Sequence, residues 1–216
     1  MTPSRIVLFA TLVLYVTFVL WYGGSGTPLT AEETEAMLAR IEAGRSDEEE
    51  HAEAHDGDLL ESFRVLASQD DGDEFYMLNL MRYREKALYP PDAPYDDDPR
   101  AAANRYSRAV LPALLARGSH PFLIARYAGP FIPSDASAGT WDQIGIVRYR
   151  SRRDMLDMAI ALSASGGGAH KWASIEETIV MPIDPIFDFV FVRGFVAVVL
   201  GAIGGGLAFA LRKRTA

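Results

Sequence analysis

Two long apolar runs, one near each end of the chain, most constrain what it can become. Ile6 to Tyr22 carries no charge and ends in Trp21 and Tyr22, residues that favour a bilayer interface. Arg5 before the run and GGSG after it also fit a cleaved signal peptide. The run is longer than a usual signal core, however, and no A-x-A-like site follows, so an uncleaved anchor is expected. The second run spans roughly 189–211, with Phe187, Phe189 and Phe191 at its entry and Arg212, Lys213 and Arg214 at its exit. Arg193 lies near its start, with Asp188 as an expected partner. Lys and Arg are retained on the cytoplasmic side, so both termini are expected inside a bacterial-type inner membrane and the central part in the periplasm.

Small residues recur along the second run. Ala197, Gly201 and Gly205 repeat at four-residue spacing, as do Ala202, Gly206 and Ala210, which predicts a helix-packing face. Its partner is the first helix, a second copy or another membrane protein.

Between the runs, 16 basic residues stand against 28 acidic ones once the five basic and one acidic residue of the terminal segments are set aside from 21 and 29. Such a body argues against nucleic acid as a partner and against purely electrostatic docking on anionic lipid. With no cysteine, disulfides, thiolate metal sites and cysteine nucleophiles are excluded together.

Phe75 to Arg84, FYMLNLMRYR, alternates with period two and predicts a strand with both faces in use. Asn79 in its middle is either a satisfied structural amide or a ligand contact. Upstream, Thr30 and Glu33 form a capping box for a helix stopped by Gly44, with Met37, Leu38 and Ile41 on one face. Ser46 with Glu49 caps an expected short acidic helix. There His51 and His55 at i, i+4 spacing, with Glu48 nearby, have the spacing of a divalent-metal site; a solvated acidic helix is the reading preferred, and no cofactor is expected. Asp58 to Gln69 predicts another amphipathic helix.

Downstream, Arg100 to Arg117 reads as a helix interrupted near Pro112, Pro121 to Tyr127 and Gln143 to Arg150 as strands, and Ser151 with Asp154 as the cap of a further helix. SASGGG reads as a loop, His170 to Glu177 as a short helix and Thr178 to Ile183 as the last strand. The order strand, helix, strand, strand, helix, strand predicts an α+β fold: a ferredoxin-like βαββαβ antiparallel sheet with helices on one face, plus two transmembrane helices. Met77, Met81, Ile144 and Ile146 are expected on the other face. The domains expected are an anchor over 1–23, a linker with acidic helices over 24–57, the extracytoplasmic domain over 58–185, and a second membrane helix with a basic tail over 186–216.

The set MLNLMRYR, RYSRAVLPALLARGSHP, WDQIGIVRYRSRRDMLDM and AHKWASIEETIVMP resembles an uncharacterised family of the dimeric α/β-barrel superfamily, over roughly 58–182. The resemblance implies two ferredoxin-like domains facing sheet to sheet, hence a homodimer through the sheet face. Its relatives include cofactor-free monooxygenases, isomerases, haem-handling proteins and stress proteins, so it implies no single activity.

Asn79, Arg126 and Arg148 are candidates for an anion- or carbonyl-binding cluster if their strands share a facing; the alternative is that the arginines pair with carboxylates at strand ends. His170 is the first acid/base candidate, with Asn79, Tyr106 and His120 behind it. No catalytic set is recognisable. The expectation is therefore an accessory or assembly subunit of a larger integral membrane complex, with other membrane proteins as partners and not an enzyme. The alternative is a membrane-tethered enzyme or carrier for a lipophilic molecule.

Overall fold

The computed structural model describes residues 1–23, 26–45, 59–129, 140–186 and 192–215. The chain divides into two compact units, Met1–Gly23 with Pro185–Ala216, and Gly24–Asp184. The expected acidic helix with Glu48, His51 and His55 lies outside the described residues, as do Phe187, Asp188, Phe189 and Phe191.

The first unit is a pair of helices, α1 (Pro3–Tyr22) and α7 (Val192–Thr215), packed against one another. Both are long and apolar enough to cross a membrane. Pro3 opens α1, where its missing N–H costs nothing. The Arg193 guanidinium sits 5.3 Å above the Tyr22 ring, a contact made within the unit. Gly204 and Ala208 are buried in this pairing, and Ala197 is half-buried. Gly201, Ala202, Gly205, Gly206 and Ala210, expected at a packing face, are exposed, and at Gly201, Gly205 and Gly206 an added Cβ would meet open space.

The second unit is a mixed α+β domain. In chain order it holds α2 (Ala31–Gly44), α3 (Leu59–Ser68), β1 (Phe75–Tyr83), α4 (Pro99–Leu115), β2 (His120–Arg126), β3 (Gln143–Tyr149), α5 (Arg152–Ala164), α6 (Gly167–Ser174) and β4 (Ile175–Ile183). The four strands form one antiparallel sheet in the order β2-β3-β1-β4. The caps read from sequence are made: Thr30 and Glu33 close a reciprocal capping box on α2, and the Ser151 hydroxyl accepts from the Asp154 backbone N–H at the start of α5. Arg153 binds Glu33 through two nitrogens at 2.9 and 3.1 Å and so ties α5 to α2. That guanidinium and the Thr30 cap hold the Glu33 carboxyl down to about 2.

Two expectations are corrected. The helix predicted over His170–Glu177 runs instead over Gly167–Ser174. Gly166, at φ +67, turns the chain in the left-handed region directly before it, and the strand already begins at Ile175, ahead of the β-branched Thr178, Ile179 and Val180. The second concerns the sheet's faces. Directly paired residues share a face, and Met77 pairs with Val147 while Leu78 pairs with Ile146 and Leu80 with Ile144. Met77 and Met81 therefore lie opposite to Ile144 and Ile146.

The face bearing Phe75, Met77 and Tyr149 is covered by helices. It meets Met37, Leu38 and Ile41 of α2, Leu66 of α3, Leu114 of α4 and Met155, Leu156 and Met158 of α5 in one core. Phe75 is only 1% exposed and stacks on Tyr149 at 5.4 Å; its burial is worth about 2–3 kcal/mol. Leu78, Leu80, Ile144 and Ile146 occupy the other face, half-buried, beside the exposed Leu123, Ile179 and Met181.

Candidate functional site

A cavity of about 500 Å³ lies between the helix-covered face of the sheet and α2, α3, α4, α5 and α6. Its floor is Met77 and Asn79 of β1, Tyr149 of β3, and Thr178, Val180 and Pro182 of β4, all brought to one face by the register. Leu66, Phe63, Met155, Met158, Leu162 and Trp172 supply apolar walls. The size and lining are those of a small-molecule site: mostly hydrophobic, with a few placed polar groups.

Three of those groups are distinctive. Asn79 donates from Nδ2 to the Met77 carbonyl at 3.1 Å and, at a longer 3.5 Å, to that of Gly145. Gly145 pairs directly with Asn79 and has no side chain to crowd it. These bonds fix which end of the amide is nitrogen and leave Oδ1 without a hydrogen-bond partner among the described residues. The hydroxyls of Tyr106, from α4, and Tyr149 likewise make no hydrogen bond there. Burial pushes the Tyr106 phenol up to about 12, and Tyr149 higher still, through burial first and the proximity of Tyr106 second. Both are neutral O–H groups at any physiological pH. Among the described residues the cavity thus offers one acceptor and two hydroxyls that no protein group has taken up, open to water or to a ligand. Thr178 and Ser163, which also line it, are already bonded to the carbonyls of Leu80 and Ile160. Arg45 and Lys171 contribute the lining's cations.

The structure does not bring the sequence-predicted cluster together. Asn79 faces the cavity, whereas Arg148 pairs with Tyr76 and lies on the opposite face. There it is 1% exposed, bound to the Glu74 carboxylate and donating to the Gly118 carbonyl at 2.6 Å. Arg126, at the end of edge strand β2, is exposed. Of the acid/base candidates, Tyr106 and Asn79 line the cavity and His170 does not. His170 Nδ1 shares a 2.8 Å hydrogen bond with the Tyr89 hydroxyl, and its ring packs edge-on against Tyr89 and Tyr95 in the segment after β1. His120 Nδ1 lies 3.0 Å from the carbonyl of Pro121 on the edge strand. Sequence reasoning missed Tyr149. The alternation of QIGIVRY, carried one residue beyond Arg148, was the available signal, but the inter-strand register is needed to choose between neighbours.

No family model matches the chain, and no curated protein does. It is similar in structure to a protein of unknown function from Rhodopseudomonas palustris, solved as a structural genomics target. Identity is 22% and the TM-score 0.53, over 59% of this chain and 94% of that one. The methylated form of that protein gives 21% identity and a TM-score of 0.54, over 62% and 97%. The likeness is one of fold.

Proposed function

We propose that this chain is a membrane-tethered binding protein or carrier for a lipophilic small molecule, held in the cavity between the sheet and its helices. The observation that carries this reading is the mostly apolar cavity in which Asn79 Oδ1 and the Tyr106 and Tyr149 hydroxyls have no hydrogen-bond partner among the described residues. Among the described residues the lining brings neither a carboxylate nor an imidazole to the cavity, which favours binding over turnover. Tethering through α1 and α7 suits a ligand that partitions into lipid.

The domain itself is read as ferredoxin-like and of the dimeric α/β-barrel kind; the order β2-β3-β1-β4 and the position of the helices support that. A second copy of the chain is the proposed cover for the Leu78, Leu80, Ile144 and Ile146 face. Arg5, Arg212 and Lys213 support cytoplasmic termini and a periplasmic domain at a bacterial-type inner membrane. The second reading is an accessory or assembly subunit of a membrane complex. The open ridge of Gly201, Gly205 and Gly206 favours it, because another helix can approach there closely.

The test is purification of the full chain in gentle detergent, light scattering, and mass spectrometry of its organic extract. A dimer carrying a near-stoichiometric apolar molecule is expected. Ala159, half-buried on the cavity wall, is the place to block it: Ala159→Phe should cut the bound molecule more than tenfold at unchanged yield of folded protein. Equal loading of parent and variant would remove the cavity from the account, and a monomer would remove the sheet-face pairing.

A further inference from the structure

We infer that the polar end of this cavity recognises a carbonyl oxygen, so that the molecule it takes is an apolar ketone or aldehyde; the inference rests on the cavity being a lipophile site. Tyr106 comes from α4 and Tyr149 from the end of β3, and both line the same space. No hydrogen bond joins the two hydroxyls. Each therefore presents an O–H with nothing in the described protein to receive it. An acceptor oxygen with no hydrogen of its own suits either donor, and a carbonyl is the apolar carbon chemistry that supplies such an oxygen.

The alternatives fit less well. A hydrocarbon filling the cavity displaces water from two hydroxyls and gives them no partner in return, which is costly. A carboxylate accepts as well, but brings a full charge into a mostly apolar space where neutral phenols only partly replace its hydration. Arg45 and Lys171 in the lining make the carboxylate the competitor that must be measured. Asn79 has the reverse polarity: its Oδ1 is an acceptor, so a hydroxyl elsewhere on the ketone tightens binding rather than replacing the carbonyl.

The experiment uses the full chain in detergent with 2-undecanone, undecane and undecanoate as probes. Binding is followed by tryptophan fluorescence, since Trp172 of the chain's three tryptophans lines the cavity, and by the infrared carbonyl stretch of the carbon-13 labelled ketone. The expected results are a carbonyl band shifted to lower frequency than in empty micelles and a ketone bound roughly tenfold or more tightly than the alkane. Tyr106→Phe and Tyr149→Phe should each reduce that preference roughly fivefold and move the band back towards its micelle position, with melting temperature tracking the fold. Ketone and alkane bound equally, with an unshifted band, would overturn the carbonyl assignment while leaving a lipophile site. Undecanoate bound more tightly than the ketone would overturn it in favour of an anion. Failure of all three probes to bind would remove the lipophile reading and the inference with it. The infrared band of the parent protein decides the matter even if a variant does not fold.

Discussion

An Arg148→Met chain is expected to lose on the order of 2–4 kcal/mol of folding stability, although the substituted side chain is apolar and unbranched. Arg148 is taken almost wholly out of water, at 1% exposure. Burying a guanidinium is offset only if its donors are met, and here the Glu74 carboxylate and the Gly118 carbonyl meet them. The three residues tie the entry to β1, the end of β3 and the left-handed turn at Gly118, φ +65, that feeds β2. Removing the cation takes a donor from the Gly118 carbonyl and a guanidinium from the Glu74 carboxylate, which is itself one-third exposed. Glu74→Gln should be nearly as harmful, because it leaves a buried guanidinium facing a neutral amide. Lysine cannot reproduce the fork that reaches both partners, so Arg148→Lys should recover only part of the loss. Urea unfolding of the detergent-solubilised chain measures all three. A neutral Arg148→Met would mean that the site tolerates apolar packing as well as it does the ion pair, and that Arg148 is exchangeable.

Arg148 also shows where sequence reading stops. The local signals were legible: the Thr30/Glu33 box, the Ser151/Asp154 cap and the period-two run around Asn79 each specify an element from residues a few positions apart. Facing was not. The sheet places Asn79 with Gly145, Val147 and Tyr149 because β3 pairs with β1 in one particular register, and a one-residue slip would have put Arg148 there instead. Nothing within either strand encodes that choice. It is settled by the long-range packing of Phe75 and Tyr149 against α5 and α2. The irregularity between Pro121 and Leu123 in β2 changes parity again, which is why Arg126 could not be aligned with Arg148 by counting. His170 was misplaced for a related reason. The helix holding it starts at Gly167, straight after the left-handed Gly166, and this turns His170 towards Tyr89 while Lys171 and Trp172 line the cavity.

The helix pair gives the last case, in which composition names several equivalent ridges and packing selects one. Gly204→Leu is expected to separate α1 from α7 at a cost of about 3 kcal/mol, whereas Gly205→Leu should leave the pair intact. A Cβ at Gly204 would lie 2.2 Å from Thr11 Oγ1 and 2.9 Å from its Cγ2. Thr11 has little freedom to yield, since its hydroxyl donates to the Val7 carbonyl at 2.9 Å. At Gly205 the same carbon meets open space. The chain has no cysteine, so spin labels on cysteines introduced at the exposed Val16 and Val198 report the pairing without interference. Their separation should widen and broaden in the Gly204 variant alone. Gly205→Leu then isolates the outward ridge: if it strips co-purifying membrane proteins while the label distance holds, the assembly reading gains its direct support. If the set of co-purifying proteins does not change, the ridge has no partner, and tethering near lipid is the function left for the two helices.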